Sequence, residues 1–185
     1  MNRENAWEIS TNNSAGGYAH LFPEPIEKKG KDLQVTWSWS TQVFPKINSK
    51  NLFQKDGDDF PLRIGVLLSG GGSEISVPMD LKKTLDSRNY RVSHIMFYSA
   101  AQLDQKSPIE GKSPYSSKIA YQLIPNSDAS QLTAVNPFAD VKRLFKFDSE
   151  KLESLKIIGL WIFADSDNSR SSSLATLENL RTVFE

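Results

Sequence analysis

From Leu33 to Ser40 the chain alternates large apolar and small polar residues without a break: Leu33, Val35, Trp37 and Trp39 against Gln34, Thr36, Ser38 and Ser40. A repeat of two puts the sets on opposite faces of an extended strand and cannot serve the 3.6-residue repeat of a helix. Two tryptophans on one face imply a large buried apolar surface. The feature therefore commits this part of the chain to a sheet with one deeply covered face.

The same signal recurs. Leu62, Ile64, Val66 and Leu68 oppose Arg63, Gly65 and Leu67. Val92 to Ser99 sets Ile95 and Phe97 against His94, Met96 and Tyr98, and Lys118 to Ile124 reads as another strand. Lys156 to Ala164 is apolar on both faces, Ile158, Leu160 and Ile162 against Ile157, Trp161 and Phe163, which predicts a central strand. Tyr18 to Phe22 and Trp7 to Ser10 are further short candidates. The end of the chain, Leu174 to Phe184, fits a helix or a strand. Helices are predicted over Asp80 to Ser87, with Asp80 as N-cap, and over Pro137 to Phe145. Loops rich in Pro, Ser, Asn and Gly cover Asn12 to Gly17, Pro45 to Gly57, Ser107 to Pro114 and Ser166 to Ser173. This pattern predicts an all-β, mainly antiparallel fold: a two-layer β-sandwich, jelly-roll or galactose-binding-like, with one or two short helices. The 185 residues suit a single domain over 1–185, with 1–13 as a flexible N-terminal segment.

Several classes of function are excluded by composition. There is no cysteine, hence no disulfide, thiolate nucleophile or Cys-based metal site. Only His20 and His94 are present, which argues against a multi-histidine metal centre. Basic and acidic residues balance at 22 each, and the longest basic run is Lys28-Lys29-Gly30-Lys31, so nucleic acid is not an expected partner. The apolar run Ile157 to Ala164 is too short to span a bilayer, so no transmembrane segment is expected. Met1 to Ser10 has no apolar stretch of signal-peptide type, which leaves a cytoplasmic protein or one whose leader has been removed.

Five motifs occur in one order that resembles a bacterial family of domains of unknown function, DUF family 3047. They are Trp37-Ser38-Trp39, Gly57-Asp58-Asp59-Phe60-Pro61-Leu62-Arg63, Ser113-Pro114-Tyr115, Asp140-Val141-Lys142-Arg143-Leu144-Phe145, and Asp165-Ser166-Asp167-Asn168-Ser169. The likeness runs from about Ser14 to Phe184. It departs at Gly70 to Arg91, which is longer than the family pattern, at Lys146, where a Gly usually follows the Phe, and at Glu178-Asn179-Leu180 near the end. The resemblance implies a sandwich fold and an extracytoplasmic, periplasmic setting. It implies no reaction.

Two acidic motifs are the strongest candidate site. Asp58 and Asp59 precede one strand; Asp165, Asp167 and Asn168 follow another. If the two strands run antiparallel, these groups meet at one sheet edge. Clustered hard oxygen ligands suit Ca²⁺. The plainer reading is that they cap turns and pair with Arg63 or Arg170. Ser69-Gly70-Gly71-Gly72-Ser73 lacks the Lys-Ser/Thr of a phosphate loop and reads as a strand connection. His20 and His94 read as ordinary strand residues, since no nucleophile-elbow motif accompanies them. Trp7, Trp161, Phe97, Tyr98 and Tyr115 are candidates for a sugar-stacking platform. Trp161 is expected in the core, and Tyr98 and Tyr115 are expected to be exposed and, with Arg63, to bind ligand.

No catalytic residue is identified. The function these features favour is a non-catalytic module that binds carbohydrate or another small polyol, with Ca²⁺ as its candidate ion. A carboxylate-dependent hydrolase and a structural protein-interaction domain are the alternatives. Oligomeric state is not legible in the sequence.

Overall fold

Every strand predicted from alternation forms, and the arrangement follows from which faces are apolar. The computed structural model describes residues 6–28, 33–47, 52–103, 107–126 and 131–184. The basic run Lys28-Lys29-Gly30-Lys31 lies mostly outside them.

The described residues form ten strands and three α-helices: β1 (Ala6–Asn12), β2 (Ala15–Glu27), β3 (Leu33–Val43), β4 (Arg63–Ser69), α1 (Met79–Asp86), β5 (His94–Ala101), β6 (Ile109–Lys112), β7 (Ile119–Pro125), β8 (Thr133–Val135), α2 (Pro137–Phe145), α3 (Ser149–Glu153), β9 (Lys156–Asp165) and β10 (Ser172–Phe184). A four-stranded sheet has the order β1-β10-β3-β8, and a six-stranded sheet the order β2-β9-β4-β5-β7-β6. All pairings are antiparallel except β5 with β7. The protein is thus mostly antiparallel β in two sheets with few helices.

The sheets share one apolar core. Leu33, Val35, Trp37, Trp39, Ala175 and Leu177 of the smaller sheet join Ile64, Val66, Leu68, Met96, Tyr98, Leu160 and Ile162 of the larger. Trp37 packs on Trp39 and on Tyr98, with ring centroids 5.3 and 5.5 Å apart. Complete burial of an indole is worth roughly 4–6 kcal/mol before entropy is charged against it. Phe138, Val141 and Leu152 of α2 and α3 enter the same core.

The opposite face of the six-stranded sheet carries a second apolar layer. Leu67, Ile95, Phe97, Tyr121, Leu123, Ile158 and Trp161 pack there with Leu81 and Leu85 of α1. This explains why β9 is apolar on both sides. Its phase is not the simple alternation, however. The register of β4 on β9 slips between Leu67 and Leu68, so Ile157 joins the shared core and Ile158 joins Trp161. A β-bulge reverses side-chain direction in this way.

Local chemistry accounts for the helix ends. Asn136 accepts a hydrogen bond from the Ala139 N–H at 3.1 Å and so caps α2 ahead of Pro137. Lys146 closes that helix with φ of 55°, left-handed backbone in which glycine is unstrained. In α1 the cap position belongs to Pro78, and Asp80 lies inside the first turn, not at the predicted cap. α3 has no counterpart in the sequence reading.

Other expectations are revised. The final segment is a strand, paired to both β1 and β3. Of the two readings for the N-terminus, a strand near Trp7 is the one that pairing with β10 supports over Ala6–Asn12; residues 1–5 lie outside the described ones. β6 lies inside the segment read as the Ser107 to Pro114 loop. Gly70 to Gly72 adopt positive φ in the connection that leaves β4, through α1, for the antiparallel β5.

Candidate functional site

β4 and β9 are antiparallel, with Arg63 opposite Phe163. The start of one and the end of the other therefore share a sheet end, and the two acidic motifs meet there. Carboxylate oxygens of Asp59, Asp165 and Asp167 lie within 4.8 Å of one another.

Arg63 is the hub of this cluster and is buried. Its Nη2 donates to both oxygens of Asp165, at 2.6 and 2.7 Å, and to the Asp58 carbonyl at 2.6 Å. Nη1 donates to Tyr121 Oη at 3.1 Å and lies 3.4 Å from Asp58 Oδ1. Tyr121 in turn donates to Asp58 Oδ2 at 3.3 Å. The guanidinium is surrounded by rings, with centroids of Phe60, Phe163, Tyr121 and Phe97 between 4.7 and 5.6 Å away. Such packing suits arginine because its flat, weakly hydrated cation stacks on aromatic faces.

The carboxylates differ in environment. Asp165 also accepts from the Phe60 N–H at 2.9 Å, and the Asp165 N–H donates to the Phe60 carbonyl. Burial pushes its carboxyl up to about 6 even against the Arg63 charge. Burial likewise raises Asp58 above the usual carboxylate range, with Arg63 opposing. Asp58 Oδ1 is buried without a hydrogen-bond partner among the described residues. Asp59 is fully buried and holds the following loop: its oxygens accept from the N–H groups of Asn168 and Ser169 at 3.3 and 2.6 Å. Asp167 and Asn168 are exposed.

This network closes one end of a groove of about 330 Å³ on the second face of the larger sheet. Phe97, Tyr121, Trp161 and Phe163 form its floor, and Val77, Ile119 and Tyr115 stand along its sides. The floor rings are mostly covered, whereas Tyr115 is 55% exposed. Tyr115 and Lys55 approach closely, the ammonium lying 5.6 Å from the ring centroid.

The sequence candidates are thus distributed unequally. Asp58, Asp59, Arg63, Asp165, Asp167, Asn168 and Tyr115 converge. Tyr98 does not: it is completely buried between the sheets, and its hydroxyl donates to Asp140 Oδ2 at 2.7 Å. The expectation that Tyr98 is exposed is corrected, because it points to the same face as Met96 and so into the shared core. Arg63 belongs to the site, but its terminal N–H groups are taken up by Asp58, Tyr121 and Asp165. Trp161 is core-packed as expected and also lines the groove. Arg170 makes no ion pair with the cluster among the described residues. Tyr121 and Phe163 are contributors the sequence reading did not single out; their phase relative to Arg63 across neighbouring strands was the available signal.

His94 stands apart from the groove. It lies against Phe145 and Phe147, with Nδ1 3.0 Å from Ser93 Oγ. Burial, with the charges of Lys151, Lys118 and Lys112, lowers its pKa to about 4, so it is neutral at ordinary pH. His20 is exposed on β2.

No curated protein sequence matches the chain. Among solved structures, a family 12 xyloglucanase from Bacillus licheniformis is 7% identical, covering 95% of this chain and 76% of its own, with a TM-score of 0.47. The xyloglucanase domain of NopAA, a type three effector from Sinorhizobium fredii, is 9% identical over 98% and 83%, with a TM-score of 0.47. The catalytic domain of Humicola grisea Cel12A is 8% identical over 98% and 87%, with a TM-score of 0.45. Likeness this loose assigns neither fold nor activity. At the level of family the match is direct: residues 1–181 fit the model described as "Protein of unknown function (DUF3047)", and the chain belongs to that family.

Proposed function

We propose that this protein is a jelly-roll-like β-sandwich module that binds carbohydrate, or a similar polyol, in the groove on the second face of its six-stranded sheet. The observation that carries this reading is the combination of an aromatic floor with polar groups at one end: Phe97, Tyr121, Trp161 and Phe163 beside Asp58, Asp167 and Asn168. Apolar ring faces accept the C–H side of a pyranose, while exposed carboxylate and amide groups accept and donate to hydroxyls. Asp167 and Asn168 are exposed beside the floor, and Tyr115 forms an exposed wall.

The acidic cluster is poorly disposed to a structural Ca²⁺. Three carboxylates are close enough to share an ion. However, Asp165 is already held by Arg63 and the Phe60 N–H, and Asp59 by two loop N–H groups. A cation would have to displace these bonds and sit beside the guanidinium.

Hydrolysis is the second reading, and one observation favours it. Asp58 and Asp165 are buried in the same groove and retain protons more readily than free carboxyls. A carboxyl of that kind is what general acid catalysis needs. Binding is preferred because Asp165 is held by Arg63 on both oxygens, and Asp58 has Oδ2 taken by Tyr121 and Oδ1 beside the Arg63 guanidinium.

Titration of the protein against a panel of neutral oligosaccharides by calorimetry tests the proposal. Saturable binding to at least one, weakened at least tenfold in Tyr115→Ala and Asn168→Ala, is the expected result. Absence of binding across the panel sinks it. Release of reducing sugar, lost in Asp58→Asn, moves the assignment to the hydrolase.

A further inference from the structure

A second cavity lies at the other edge of the fold, where both sheets depart from regular pairing. The register of β10 on β3 slips between Glu178 and Arg181, with Asn179 in left-handed backbone at φ of 56°. The register of β2 on β9 slips between Leu21 and Ile26, a stretch containing Pro23 and Pro25. These two irregularities belong to strands in different sheets. Between them a cavity of about 420 Å³ opens, larger than the groove above.

Its chemistry is amphipathic. Phe22, Leu160, Ile162, Leu177 and Leu180 make an apolar wall. At the mouth, Trp7 and Tyr18 meet edge to face, with centroids 6.0 Å apart, and remain 46% and 60% exposed. Exposed aromatics of this size beside an open apolar wall mark a surface that gains by being covered. Arg181 also lines this cavity and forms no ion pair with any described residue. A cation with an unused forked donor set, beside an apolar recess, complements a carboxylate on an apolar body.

We propose that this cavity binds a small amphipathic carboxylate, with its apolar body between the sheets and its carboxylate on Arg181. The volume is of the size small-molecule sites have, about 300–1,000 Å³. Trp7 and Tyr18 cover the body of the ligand, and Arg181 distinguishes an acid from a neutral or cationic analogue. The site is separate from the groove, so its occupancy does not depend on the function proposed there.

The test follows the indole N–H signals of the four tryptophans in isotope-labelled protein. Octanoate, 3-phenylpropanoate, octanol and octylammonium are titrated in turn. Saturable movement of the Trp7 signal with either acid is expected, with Trp37 and Trp39 unmoved, and the acid that binds tells whether the body is a chain or a ring. Octanol and octylammonium should bind about tenfold more weakly than the better acid. Arg181→Gln, at an exposed position, should remove that preference. Equal binding of acid and alcohol, a preference that survives Arg181→Gln, or no saturable Trp7 response to either acid overturns the proposal.

Discussion

Arg63 and Asp165 are joined twice, one guanidinium nitrogen donating to both oxygens of one carboxylate, and both side chains are buried. Their strands are neighbours, so the pair closes the end of the central sheet and sets the groove's polar boundary. Removing Arg63 leaves Asp165 and Asp58 buried without their cation, and removing Asp165 leaves the buried guanidinium with Asp58 alone, at 3.4 Å. Asp165→Leu and Arg63→Met are each expected to cost about 3–5 kcal/mol. The double variant should cost clearly less than the sum, because neither charge is then stranded. Denaturant unfolding of the four proteins checks this, and additive costs would show that the two groups do not depend on each other.

His94 makes a second prediction, in pH. Its pKa is about 4 in the folded chain against 6.5 as the free side chain. Below 6.5 the unfolded chain gains a proton that the folded chain resists. Stability from this group is therefore full above about 6.5 and falls as pH drops toward 4, by up to about 3 kcal/mol. Asp58 and Asp165 have raised values and act in the opposite sense, since acidification through those values favours the folded form. The informative quantity is the difference between the protein and His94→Leu. Relative to His94→Leu, the protein should lose stability by up to about 3 kcal/mol as pH falls from 6.5 to 4; a constant difference across that range would contradict the assignment.

The sheet was legible where burial is one-sided or alternation unbroken. β3 could be read to the residue at its start because Trp37 and Trp39 repeat Leu33 and Val35. Convergence of Asp58 and Asp59 with Asp165 and Asp167 was legible too, since it needs only that two strands run antiparallel. What could not be read was phase beyond a bulge. Ile157 and Ile158 exchange faces because the register slips, and nothing in their side chains announces it. The strand position of Tyr98 points inward with Met96, and Asp140 on α2 supplies the partner that makes burial of its hydroxyl tolerable. That partner lies 42 residues away in the sequence.

Gly65 tests how tightly the second face is packed. A Cβ there would meet the Phe97 ring at 2.7 Å and the Trp161 carbonyl at 3.3 Å. The absent side chain lets the aromatic floor of the groove lie flat on β4. Gly65→Ala is expected to destabilise by about 1–3 kcal/mol through overpacking. Phe97→Leu shortens the obstructing ring, so Gly65→Ala should cost less in that background. Equal cost in both backgrounds, measured by thermal unfolding, would mean that the ring is not what resists.

Asp59 separates an anchored loop from a cation site. Its two oxygens accept from the N–H groups of Asn168 and Ser169, and it is completely buried. Asp59→Ala leaves both donors without their acceptor, at a cost of about 1–3 kcal/mol. The loop should loosen locally as well: hydrogen exchange at the Asn168 and Ser169 amides should quicken more than at β4 or β9. Because those oxygens are committed to the loop, and Asp165 to Arg63, millimolar Ca²⁺ should leave the melting temperature of the unaltered protein unchanged. A binding ion would instead raise it in proportion to the logarithm of its concentration, and Asp59→Ala would abolish that rise. One outcome is no shift and the other a rise that Asp59→Ala removes, so a Ca²⁺ titration of both proteins separates a loop anchor from a cation site.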